Sequence, residues 1–283
     1  MNLGSTFRKL RQEKGISISS LSGENISKSQ ISRFERGETD ISFQKLFYLL
    51  ESISISMEEF LSLSHNNQCP NFNNFIQQLE EVFFSNNITY LNQLLNTEYH
   101  YYQETSYTYH LLNCIMIKNM LLKSTGKDES TKCEKLFLTN YLFSVESFGY
   151  YELIILSHTE HILDVTLLYR YINEIIAKSN NININSEKQS LILQLLLNVI
   201  QLCIEKNDFR MAKTYLVEAH TLLSSNSYYN EKIVFHFLKG YLEYYKNPDE
   251  GKALMKKSLE LFHFFDKRLY DYYFVQYMKI TNR

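Results

Sequence analysis

Between Ile26 and Gly37 the chain reads Ile-Ser-Lys-Ser-Gln-Ile-Ser-Arg-Phe-Glu-Arg-Gly, and its polar members are the side-chain types that read nucleic acid. A glutamine can make two hydrogen bonds to adenine and an arginine two to guanine, while lysine and serine meet phosphate oxygens. Lys28, Ser29, Gln30, Ser32, Arg33 and Arg36 are therefore candidate DNA contacts. Gln30 and Arg33 are expected to specify bases, and Lys28 and Arg36 to hold phosphate. Ser17 and Ser19, in the segment just before, complete the set.

Such residues act together only if one short rigid element presents them. Ser27 with Gln30 three residues later is a capping-box pattern, which marks a helix start. Ile31 and Phe34 share the inward face, and Gly37 offers the permissive backbone that ends helices. Residues 17–23 read as another short helix, joined through Glu24 and Asn25, so the pair has helix-turn-helix proportions. A surface helix of a small bundle is the alternative.

The flanking sequence supplies the rest of a small helical domain. A first helix is expected from about Gly4 to Lys14, closed by Gly15. A fourth places Phe43, Leu46, Phe47 and Leu50 on one face, and a fifth begins with Ser56 and Glu59 in capping-box positions. The 283-residue chain has a net charge of −2, but residues 1–36 hold seven basic against three acidic side chains, a balance of +4 that leaves −6 for the remainder. Phosphate is expected to meet the N-terminal end.

These residues resemble the Cro/repressor (XRE) type of helix-turn-helix over residues 1 to about 63. The matching positions are Leu3-Gly4, Leu10-Arg11, Lys14-Gly15, Ser17, Leu21, Ser29 to Ser32, Phe34-Glu35-Arg36-Gly37, and Leu46, Leu49 and Leu50. The run from Ser27 through Ser42 is similar in particular to the Rgg family of peptide-responsive regulators in Gram-positive bacteria. Between Ser22 and Ser32 the segment is one residue shorter than the general XRE pattern, as in the Rgg branch. The resemblance implies that Arg11 pairs with Glu35, although from the residues alone either could simply be solvated. It also places Phe43 where some relatives carry a disulfide-forming cysteine, so apolar contact is the expected substitute.

Residues 65–71 form a polar break containing Pro70, one of only two prolines. Beyond it helical periods recur, as in Phe72-Phe75-Ile76-Leu79-Val82-Phe83, Leu91-Leu94-Leu95, Leu136-Tyr141-Leu142-Val145 and Leu191-Leu195-Val199-Leu202. The segments 207–212 and 247–253 align at a spacing of 41 between Ala212 and Ala253. With Gly240-Tyr241, they suggest a degenerate tetratricopeptide-like repeat. The Rgg resemblance extends here through Tyr141 to Leu153. It implies a C-terminal helical domain that dimerises and binds a short re-imported peptide. His158 and His161 stand where the family tends to carry an Asn and an Arg that hold the peptide, and Asn198 matches an Asn that can pair with peptide backbone. Tyr169 and Arg170 join them in the expected peptide-binding set. Both histidines could instead bond neighbouring main-chain carbonyls.

Other chemistry is weakly represented. His110 and Cys114 are four apart and His158 and His161 three apart, spacings that put each pair on one helical face, but a structural zinc site needs four ligands. The four cysteines are scattered without CxxC spacing and no signal peptide precedes them, which points to a reducing cytoplasm. Clusters such as residues 99–102, 228–229 and 270–273 supply Tyr for packing, a peptide groove or a dimer interface.

The resulting expectation is an all-α fold: a five-helix XRE-type helix-turn-helix domain over residues 1–65, a linker at 66–71, and a degenerate tetratricopeptide-like solenoid over 72–283. The chain is expected to be a cytoplasmic homodimeric transcriptional regulator that binds promoter DNA under control of a short signalling peptide. No cofactor, membrane span or enzymatic activity is expected. The alternatives are a peptide-independent dimeric repressor and a helical-repeat interaction adaptor.

Overall fold

The computed structural model describes residues 3–64, 72–179, 186–223 and 228–282. Among the described residues there are sixteen α-helices and no strand. The expected linker at 66–71 lies outside the described residues. The chain divides into two compact units, Met1–Ile76 and Gln77–Arg283.

The first unit contains α1 (Leu3–Glu13), α2 (Ile18–Leu21), α3 (Lys28–Glu35), α4 (Phe43–Ser52) and α5 (Met57–Ser64). Serines start four of these helices by accepting from a backbone amide three residues on: Ser17 from Ser20, Ser27 from Gln30, Ser42 from Lys45 and Ser56 from Glu59. Each cap satisfies one of the orphan amides of a helix N-terminus. Phe7, Leu10, Leu21, Ile31, Phe34 and Leu49 lie in one buried cluster to which all of α1–α5 contribute. A Cβ on Gly4 would overlap the carbonyl of Phe34, so only glycine allows α1 this close to α3. The inward face of α4 differs from the expected one: Leu46, Leu49 and Leu50 are buried, whereas Phe43 and Phe47 are exposed. Phe43 lies in the first turn and Phe47 at the edge of the stripe through Leu46, Leu49 and Leu50, and both rings stay exposed.

The second unit holds α7 (Ile88–Thr105), α8 (Thr108–Thr125), α9 (Lys132–Ser144), α10 (Tyr150–Ser157), α11 (Val165–Ser179), α12 (Ser186–Glu205), α13 (Phe209–Leu222), α14 (Tyr229–Tyr244), α15 (Pro248–Phe265) and α16 (Lys267–Thr281). The division falls within α6 (Phe72–Phe84). Short connections pair successive helices, notably α7 with α8, α12 with α13 and α14 with α15. Two helices form the interior. Cys114, Ile115, Met116 and Ile117 of α8 are all inaccessible, and α12 buries residues on every side while packing on α10, α13 and α14. A helix that is apolar all round has no solvent face to reveal a period. On α9 the inward residues are Leu138 and Leu142, with Leu136 exposed.

The internal repeat is real in kind but shifted in register. Asp208 and Asn247 are equivalent N-caps, so the helices repeat at a spacing of 39, which matches Ala212 with Gly251 rather than with Ala253. Ala212 is fully buried, while Ala253 is exposed. Gly251 is the residue that permits close approach: a Cβ there would overlap the backbone of Tyr244 and stand 2.7 Å from the Gly240 oxygen. Gly240 and Gly251 thus let α14 and α15 meet backbone to backbone. Gly251→Ala should lower stability by about 1–3 kcal/mol through overpacking. Ala253→Ser should stay within about 0.5 kcal/mol, as expected of a surface site. Urea unfolding of the two variants distinguishes the registers.

Candidate nucleic-acid interface and ligand cavity

Helix α3 carries the candidate DNA contacts mostly on its outer face. Ile31, Phe34 and Glu35 are buried, whereas Lys28, Ser29, Gln30, Arg33 and Arg36 are exposed and Ser32 is half-buried. Ser17 and Ser19 of the preceding helix are exposed too, with the Ser17 hydroxyl serving as the α2 cap. The helix is oriented by a buried pair. Arg11 Nε and Nη2 donate to the two Glu35 carboxylate oxygens at 2.6 and 2.9 Å, and Nη1 donates to the Ile16 carbonyl at 2.6 Å. The hydrogen bonds to Glu35 raise the Arg11 pKa above its ordinary value. One guanidinium therefore ties α1, the turn before α2 and the end of α3.

Several of the candidate DNA contacts are engaged within the protein, Gln30 and Arg36 most fully. Gln30 Oε1 accepts from the Ser27 amide at 3.2 Å, completing the capping box, and from Lys45 Nζ at 3.5 Å. Arg36 forks onto Glu38 at 2.5 and 3.0 Å and reaches Ser32 Oγ at 2.6 Å, while Arg33 Nε lies 3.9 Å from Glu38. The hydrogen bond with Arg36 lowers the Glu38 pKa and raises that of Arg36. Glu38, which the sequence reading passed over, is the anion of this surface.

The second unit contains a cavity of about 480 Å³ between α6, α8, α12, α14, the start of α16 and the turn after α10. His158 and Asn198 line it; His161, Tyr169 and Arg170 do not. His158 caps the end of α10, so it and His161 sit in a turn and not on one helical face. The His158 ring donates from Nδ1 to the Ile154 carbonyl at 2.8 Å, and its Nε2 faces Glu80 at 3.6 Å. Asn198 Nδ2 donates to the Ser157 carbonyl at 3.0 Å. Tyr169 donates to Asp208 at 3.1 Å beside the buried thiol of Cys203, and Arg170 is exposed on α11.

Behind the wall lies a buried charge network. Glu160 is completely inaccessible and receives Lys123 Nζ at 2.8 Å, Asn119 Nδ2 at 3.0 Å and the His161 ring at 3.2 Å. His161 also meets Glu205 at 3.3 Å, and Gln201 donates to Glu205 at 2.8 Å. Burial opposes charge on Glu160, but Lys123 and His161 outweigh it and hold the carboxyl below its usual range. The same balance raises Lys123 and His161 and lowers Glu205. Asn119 and Lys123, four apart in the apolar helix α8, were the available sequence signal for this network. Pairing across helices hid it.

The metal-like spacings have other partners: His110 Nδ1 lies 2.7 Å from Glu98, and the Cys114 thiol is pushed up to about 12, mainly by burial. Among the described residues no group of three or more His, Cys, Asp or Glu could hold a metal ion. Among them, too, no helix is long and apolar enough to cross a membrane.

A capped recognition helix in a five-helix unit, followed by paired helices enclosing a cavity, defines a helix-turn-helix regulator with a helical-repeat domain. Residues 7–60 match a family model described as helix-turn-helix, and residues 92–275 match one described as the C-terminal domain of the HTH-type transcriptional regulator Rgg. The crystal structure of the SHP pheromone receptor Rgg2 of Streptococcus dysgalactiae is 32% identical, with 98% of this chain and 99% of that chain covered and a TM-score of 0.74. The chain belongs to the Rgg family of transcriptional regulators. The same fold appears in the PrgX/cCF10 complex, at 16% identity, 99% and 92% coverage and a TM-score of 0.70. ComR of S. thermophilus, solved with DNA and its signalling peptide ComS, gives 18% identity, 98% and 99% coverage and a TM-score of 0.59.

The network makes a signed pH prediction. The raised His161 contributes stability that is fully present below its ordinary value of 6.5 and is lost as pH rises through its higher folded value. Glu160 and Glu205 contribute above their ordinary 4.5 and lose that contribution on acidification. Wild type should therefore lose melting temperature more steeply than His161→Gln as pH rises above the ordinary imidazole value of 6.5. Glu160→Gln, which strands buried Lys123, should cost about 3–5 kcal/mol. Thermal melts across pH check both.

Proposed function

We propose that this chain is a homodimeric cytoplasmic regulator whose α3 enters the DNA major groove and whose second unit takes a short signalling peptide in its cavity. The observation that carries the reading is the cavity of about 480 Å³, within the range of ligand sites, in the same chain as an exposed base-reading helix. Membership of the Rgg family and full-length similarity to a pheromone receptor support it. Of the five peptide-contact candidates, His158 and Asn198 take direct roles, because they alone line the cavity. His161 acts from behind the wall through Glu160 and Glu205.

Gln30 and Arg33 read bases in this proposal, with Lys28, Arg36 and the serines on phosphate. Arg33→Ala should cost about 1–3 kcal/mol on the preferred operator and relax its sequence preference, whereas Lys28→Ala should weaken all DNA alike and flatten the salt dependence. Sequencing of DNA enriched by the full chain, with and without peptides encoded beside its gene, supplies the operator. Equal loss on specific and random DNA for both variants would overturn the assignment.

The dimer is assigned to the second unit. Leu261, Phe264 and Phe265 of α15 and Phe274, Val275 and Met278 of α16 are exposed, with Phe264 at 81% and Phe265 at 67%. Apolar surface of that kind marks association sites. Sedimentation of the full chain should report a dimer that dissociates in Phe264→Ser/Phe265→Ser. A persistent dimer would shift the interface to exposed Phe43 and Phe47.

A further inference from the structure

The cavity wall carries an uneven set of charges. Its cations are already paired: Lys123 with Glu160 at 2.8 Å, and Arg268 with Asp266 at 3.3 Å. Its remaining carboxylates have no Lys or Arg partner among the described residues. Glu81 accepts from the Gln77 amide at 2.9 Å and Glu231 from the Gln194 amide at 3.4 Å, while Glu80 faces His158. Neutral amides solvate a carboxylate without cancelling its charge, so the wall is net negative.

A second feature points the same way. His158 is 6% exposed and lines the cavity. Because Nδ1 donates to the Ile154 carbonyl, Nε2 is the ring nitrogen left to face the cavity wall. Nε2 lies 3.6 Å from Glu80 Oε1, so the ring edge and a carboxylate meet at one spot on the wall. An N–H cation seated here would make a charge-assisted hydrogen bond to Glu80.

We propose that the cavity selects a peptide bearing a cationic group, which sits between Glu80, His158 and Glu231. This rests on the cavity being the peptide site, as proposed above. The cation is either a Lys or Arg side chain or the free N-terminal ammonium, since both present N–H donors and a positive charge. Lys123 does not repel it strongly, because Glu160 neutralises that charge directly behind the wall.

The test is selection of a displayed random octapeptide library on the full chain, with Val234→Trp as a cavity-filled control. Val234 lines the cavity and takes part in none of the polar contacts described. Enrichment of Lys- or Arg-containing sequences, or of peptides whose affinity is lost on N-acetylation, supports the proposal. For one such synthetic peptide, Glu80→Gln/Glu231→Gln should weaken binding about tenfold or more at low salt. A Lys→Gln or N-acetylated version of that peptide should bind both proteins alike, and whichever version loses affinity identifies the source of the cation. Enriched peptides without basic bias, or a carboxylate-bearing peptide preferred over its Lys counterpart, would overturn the cationic inference while leaving the cavity as a peptide site. No enrichment over Val234→Trp would overturn the peptide site itself and this inference with it.

Discussion

Glu160 is the constraint on which the second unit depends. A carboxylate with no solvent access is tolerated only when charged and neutral donors surround it, and here Lys123 and Asn119 of α8 and the ring of His161 do so. The same Asn119 uses its Oδ1 to accept from the His161 backbone amide at 3.0 Å. One asparagine therefore fixes both the anion and the turn that carries it. Since that turn also contains His158, and the preceding Ser157 carbonyl receives Asn198, the cavity wall inherits its geometry from a charge it does not display.

The first unit uses the same device on a smaller scale. Arg11 and Glu35 form a buried bidentate pair, and the third guanidinium bond goes to the Ile16 carbonyl. Apolar packing alone, with Phe7 against Phe34 at 6.1 Å between ring centroids, would hold α1 near α3 without fixing its rotation. The fork geometry of arginine adds direction to proximity. With Gly4 allowing backbone contact below it, the recognition helix is held at both ends of α1.

What could be read in the sequence follows from how local each signal is. The Ser27–Gln30 box, the Ser56 cap and the left-handed Gly15 and Gly37 act within a turn of chain, and all were legible. The α4 face was only partly legible: the helical spacing that joins Leu46 and Leu50 also joins Phe43 and Phe47, and spacing alone does not tell that Leu49 is buried while the two rings are exposed. The repeat was found but misregistered, since two alanines align as letters whereas the physical equivalence lies between the caps Asp208 and Asn247. The Lys123–Glu160 pair was not legible because its members stand 37 residues apart, and no short-range spacing encodes such pairing.

The DNA-facing surface raises a related point about where specificity resides. Before DNA arrives, Gln30 has given its carbonyl oxygen to the Ser27 amide and to Lys45, and Arg36 has given its fork to Glu38. A two-bond contact from Gln30 to adenine needs that same oxygen, so base reading by this side chain exchanges a cap bond for a base bond, and only the difference contributes. Arg36 faces the same exchange against an anion that a phosphate must replace. Arg33, with only a 3.9 Å approach to Glu38, gives up least on binding. Of the three side chains, Arg33 therefore keeps the most hydrogen-bonding capacity uncommitted within the protein.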